Sequence, residues 1–187
     1  WNGGETLWLR WVERNDAGND HGMAIDDLTL STVASLVGDL QITEYLYSGA
    51  NGEFIEFTNV GTAPIDLSGW SFDDDSAVAG TVDLSAFGIV AAGESLILAE
   101  AAAETFRAAW ALSGAVKVIG GLTANLGRAD EINVFDATGA LIDRLTYGDE
   151  RFPGTVRAQN ASAWAPVDQL DAQTIDADWV LATLGDA

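Results

Sequence analysis

At 187 residues, 48% of them apolar and only 20% charged, the chain has the material for one full domain with a buried core and need not be disordered. Twenty-nine acidic residues against eight basic ones leave a net charge of −21, with Lys117 the only lysine, so the basic face that nucleic acid demands is missing. The absence of cysteine removes disulfides, zinc-thiolate sites and thiol nucleophiles together, and no apolar run reaches the ~18 residues of a membrane-spanning helix.

In chain order, residues 1–32 hold two strand-like runs, Thr6–Val12 (TLWLRWV) and Ala24–Leu30 (AIDDLTL), separated by a turn-rich loop. This N-terminal β-hairpin is too small to fold alone. It reads as the terminal strands of a truncated upstream β-sandwich or as a strand-exchange segment, and the chain beginning at Trp1 reads as part of a longer protein. Residues 33–38 form a junction.

From Asp39 the β pattern is dense. Strands are expected near Asp39–Tyr47, Glu53–Asn59, Gly69–Asp73, Ser95–Ala99, Val116–Gly120, Glu131–Phe135, Leu141–Tyr147 and Thr155–Trp164. Asn51-Gly52 and Thr138-Gly139 supply turns that tolerate positive φ. Only Glu100–Leu112 (EAAAETFRAAWAL) breaks the pattern, with helix formers that end at Ser113-Gly114. An all-β antiparallel sandwich or barrel over 39–166, with one short helix in a crossover loop and an acidic extension at 167–187, accounts for these runs.

Glu53 and Glu56 in GEFIEF invite reading as an acid/base pair. Residues three apart on a strand point to opposite faces, so the two cannot converge on one substrate. Ile55 and Phe57 should face the core, and the glutamates should lie near an edge or be hydrogen-bonded. His21 is the only histidine, it sits in a polar loop, and no Gly-x-Ser-x-Gly element exists to partner it. No catalytic set is expected.

The best metal candidate is the loop around His21. Asp16, Asn19, Asp20 and Asp26 or Asp27 could form a loose Ca²⁺-binding β-loop, with Asp27 eleven residues after Asp16. It is not an EF-hand: Gly18 stands at position three, the glycine of position six is displaced, and strands flank it. A second candidate is Asp73-Asp74-Asp75, where Asp73 and Asp75 would offer oxygen ligands and the default is an exposed loop. Among seven tryptophans, Trp70 and Trp110 fit the core. Trp8 and Trp11 lie on a strand apolar on both faces, which suits packing on another domain, on a neighbouring subunit, or use as a platform for carbohydrate.

The order of features in 39–164 resembles the lamin-tail domain, an immunoglobulin-like β-sandwich of nuclear lamins and of many bacterial secreted or surface proteins. The resemblance is carried by LQITEYLYSG at 40–49, GEFIEFTNVGTAPIDLSGWSF at 52–72, AAGESLILAE at 91–100 and DEINVFDATGALIDRLTYG at 130–148. Ala91-Ala92-Gly93 departs from relatives that place a proline before the glycine. The segment LWLRWVERNDAGNDHGMAIDDLTLS is similar to the closing strands of a jelly-roll-like module.

The resemblance implies a non-catalytic structural, adhesion or assembly module of a larger extracellular or cell-surface bacterial protein, in keeping with the acid bias. Two other readings are an accessory domain of a secreted nuclease or phosphatase, and a fibre subunit assembled through its N-terminal strands. Partners are then proteins or further copies of the chain.

Overall fold

The computed structural model describes residues 39–165, 170 and 178–183. The chain divides into two units, Trp1–Val33 and Ala34–Ala187, and all the described residues belong to the second. The expected N-terminal hairpin lies outside them.

The strands are β1 Leu40–Leu46, β2 Phe54–Asn59, β3 Ile65–Asp66, β4 Ser71–Asp73, β5 Val82–Asp83, β6 Ile89–Val90 and β7 Ser95–Ala99. After helix α1 (Ala103–Ala109) come β8 Lys117–Gly120, β9 Asp130–Phe135, β10 Leu141–Tyr147, β11 Ala163–Trp164 and β12 Val180–Leu181. One sheet has the order β12-β11-β1-β2-β7-β8, a second β10-β9-β4-β5, and β3 pairs with β6. Every pairing is antiparallel except β7 with β8, the two strands that α1 connects. A parallel neighbour needs a crossover, and the helix-forming insert supplies it.

The core lies between the two large sheets. Ile55, Phe57, Leu96 and Leu98 from one sheet meet Phe72, Ile132, Val134, Leu145 and Tyr147 from the other in a single cluster. Each such side chain contributes roughly 1.5–3 kcal/mol by leaving water. Tyr45 and Tyr147 close the centre with ring centroids 4.2 Å apart, and Trp179 packs on Tyr45 at 5.5 Å. On the far face of the six-stranded sheet, Leu46, Phe54, Ile97 and Ala99 form a second cluster under Phe106 of α1. This makes β2 apolar on both faces along part of its length, as suits a strand with neighbours on each side.

Two irregularities are legible as breaks in alternation. The core residues of the first strand, Leu40, Ile42, Tyr45 and Tyr47, step by two, three and two. The extra residue is a bulge between Ile42 and Glu44, and a second bulge lies in β10 between Leu141 and Asp143. The two are joined: Asp143 Oδ2 accepts the Ile42 amide at 2.8 Å, and its Oδ1 accepts the Arg144 amide at 2.9 Å. A carboxylate from one sheet thus satisfies a backbone donor of the other.

Asn59 has a similar role at the end of β2. Its Nδ2 donates to Ala63 O and Val90 O, and its Oδ1 accepts the Gly61 amide. Only a side chain with both donors and an acceptor can tie the 60–64 turn to β6 in this way. At the expected turns, Gly52 and Gly139 hold φ of 83° and 81°.

The structure corrects the sequence expectation at several points. Thr155–Trp164 is not one strand: Gln159 makes a single bridge to Ser48, Asn160 (φ 63°) then turns the chain, and only Ala163–Trp164 forms a strand. Strand β2 is central, so of the two alternatives for its glutamates, a sheet edge or hydrogen bonding, the second holds. The segment read as an acidic extension contributes β12 and the buried Trp179. Trp110 is 39% exposed at the C-terminal cap of α1, covering Phe106 and Phe54 rather than lying in the core; the helix is too short to carry it inward. Trp70 is partly buried against the main cluster.

Candidate functional site

Glu53 and Glu56 separate as strand geometry requires. Glu53 precedes β2 and is only 5% exposed; its Oε2 accepts the Leu126 amide at 2.9 Å, and its own amide donates to Glu100 Oε2 at 3.2 Å. Its Oε1 is buried without a partner. Burial, then the charges of Glu100 and Asp130, push its carboxyl up to about 7 against the opposing pull of the Leu126 amide.

Glu56 lies on the opposite face, half-buried, and its Oε1 accepts the Thr43 hydroxyl at 2.6 Å and that of Thr58 at 3.4 Å. Thr58 in turn bonds Ser95 at 2.8 Å, so a short ladder of hydroxyls runs across β1, β2 and β7. The carboxylates that do share a face are Glu44 and Glu56, direct cross-strand partners. The Glu44 carboxyl is raised by burial and by Glu56, with a Ser162 hydrogen bond opposing. Reading the sequence alone missed this pair, because the bulge that sets the register must be seen before the two residues can be aligned. Its signal was the three-residue step from Ile42 to Tyr45.

Asp73 and Asp75, the second calcium candidate, occupy different environments. Asp73 is buried, and its Oδ2 accepts Ser76 Oγ at 2.5 Å and the Val78 amide at 2.6 Å. Burial alone would raise its carboxyl, but those hydrogen bonds hold it below the ordinary value. Asp75 is exposed. Asp73 therefore shapes the turn that leads into β5. The first candidate, Asp16, Asn19, Asp20 and Asp27, lies outside the described residues, as do Asp26, His21, Trp8 and Trp11. Among the described residues no group of three or more His, Asp or Glu side chains is arranged to hold a metal ion.

One chemical habit runs through these sites. Glu53, Asp73, Asp130 and Asp143 each accept backbone amides across a turn, a loop or the gap between sheets. These buried carboxylates organise backbone.

Fold and side chains together define an immunoglobulin-like β-sandwich built from its carboxylates as internal braces. The family follows: the model of the lamin tail domain matches residues 34–149, more than half of the chain, and the chain belongs to that family. A comparison with curated proteins gave no match. Among the described residues, no helix is long and apolar enough to cross a membrane.

Proposed function

We propose that this domain is a non-catalytic structural, adhesion or assembly module of a larger extracellular or cell-surface bacterial protein. The observation that carries the reading is the use of the buried carboxylates as backbone braces within a lamin-tail sandwich. A fold alone licenses no reaction, and among the described residues the buried carboxylates Glu53, Asp73, Asp130 and Asp143 hold turns and loops or join the sheets. The net charge of −21 supports a soluble, exposed setting and disfavours nucleic acid as a partner. The test is direct: the purified chain is offered nucleic acids and phosphoesters, and no turnover is expected. Hydrolysis that persists through repeated purification sinks the reading.

A second reading, assembly by strand addition, is favoured by β12. Among the described residues it ends the six-stranded sheet, and it exposes Val180 and Leu181, 41% and 39% accessible. If the N-terminal strands of a second copy add to such an edge, deleting residues 1–32 leaves a folded monomer and abolishes polymers; polymers that persist refute it.

Calcium binding by Asp16, Asn19, Asp20 and Asp27 stays a proposal founded on their spacing. Millimolar Ca²⁺ is expected to raise the melting temperature, and no shift would remove it.

A further inference from the structure

The loop 121–129 between β8 and β9 is held by an unusual set of groups. Leu122 and Leu126 place their side chains in the main core. The Leu126 amide donates to Glu53, the Gly127 amide donates to Asp130 Oδ2 at 2.6 Å, and the Gly127 carbonyl accepts from the Tyr147 hydroxyl at 3.0 Å. The groups that face Glu53 are acidic: Glu100 from the end of β7 and Asp130 from β9, with Asp74 and Asp75 standing behind Asp130. The one cation of the loop, Arg128, is engaged by Asp149 and Glu150 instead. A charge on Glu53 would therefore sit in a buried site with one oxygen unpartnered and two carboxylates nearby.

We propose that a proton on Glu53 latches the loop 121–129 to the sandwich, and that ionisation of Glu53 releases the loop and uncovers Leu122 and Leu126. The geometry sets the direction. The docked loop seals Glu53 beside Glu100 and Asp130, and opening lets water solvate the charge.

The sign follows from comparing the docked and open states. In the open state Glu53 has an ordinary value near 4.5, and in the docked state it is raised to about 7. Docking is strongest below the lower value, weakens as pH rises between the two, and levels off above the upper one. Across that interval the docking constant falls on the order of a few hundredfold.

The test is amide hydrogen exchange of the full chain between pH 4 and 8, corrected for the intrinsic rate. Protection of Leu126 and Gly127 is expected to fall by roughly that factor and then flatten, while the amides of Ile55 and Leu98 stay protected throughout. Glu53→Gln should remove most of the pH dependence at Leu126, leaving only what Asp130 contributes through the Gly127 amide. Glu100→Gln keeps an acceptor for the Glu53 amide but removes a charge, and should move the flattening to lower pH. If the wild-type loop shows no pH dependence, or Glu53→Gln retains it in full at Leu126, or Glu100→Gln leaves the flattening in place, the latch is overturned. Should Glu53→Gln not fold, the wild-type and Glu100→Gln profiles still decide.

Discussion

Replacing Asp143 by asparagine should change the slope of stability against pH as well as its level. The carboxylate is 6% exposed and accepts the Ile42 and Arg144 amides, one with each oxygen. Burial outweighs those two bonds and raises its carboxyl from 3.8 to about 6. At about 1.4 kcal/mol for each tenfold in proton affinity, that rise corresponds to about 3 kcal/mol. Because the folded value is the higher one, this stabilisation is complete below pH 3.8 and is lost as pH rises through about 6. Asparagine keeps one acceptor and loses the other, which costs about 1–2 kcal/mol at acidic pH. The gap between wild type and Asp143→Asn should then shrink, and close or reverse, between pH 4 and 7. Urea denaturation at half-unit pH steps measures both curves, and subtraction cancels the other carboxylates that titrate in this range. Parallel curves would show that burial does not penalise the Asp143 charge, and the account of this link between the sheets would be wrong.

Other substitutions test separate parts of the same reasoning. Asn59→Ala removes three hydrogen bonds at a fully buried site and should cost about 2–4 kcal/mol by denaturant melts, without a change in the slope against denaturant. Phe106→Ala should cost about 3–5 kcal/mol, since the ring is fully buried under α1, whereas the 39%-exposed Trp110 changed to alanine should cost clearly less; equal losses would mean the second cluster is misjudged. Glu44→Gln removes one of two like charges directly opposite each other and should stabilise by about 0.2–1 kcal/mol at pH 7. That gain should vanish at pH 4, and thermal melts at the two pH values check it.

Much of the sandwich was written in short-range signals. Ser95–Ala99 and Leu141–Tyr147 run as the sequence predicts, and the helix lies within Glu100–Leu112, because period-two alternation and runs of helix formers report the local burial that tertiary packing reinforces. What stayed illegible depends on partners distant in sequence. The two-residue strands β3, β5, β6 and β12 have no periodicity to detect, and each exists because a neighbour presents free backbone groups. The C-terminal Trp179 reads as an isolated aromatic in an acidic tail until Tyr45 is seen beneath it. The carboxylate sites divide in the same way. That Glu53 and Glu56 point apart follows from strand geometry alone, while the partners of Glu53, 47 and 73 residues away, do not.

The stretch GEFIEF shows how a single strand can serve four environments, and why its glutamates are not interchangeable. Ile55 and Phe57 fill the sandwich, Phe54 supports α1, Glu56 joins the hydroxyl ladder on the outer face, and Glu53 reaches the loop after β8. Alternation alone would leave Glu53 on the core side, beside Ile55 and Phe57. It is tolerated there because β2 has not yet begun at position 53, so the side chain lies at the end of the core, where Leu126 offers an amide. Moving Glu56 by one residue would bury a carboxylate in the main core with Leu96 and Leu98, and moving Glu53 to position 54 would bury one beneath Phe106. An apolar-acidic pattern that resembles a catalytic pair is therefore what a central strand needs when one end must brace a loop and one face must stay polar.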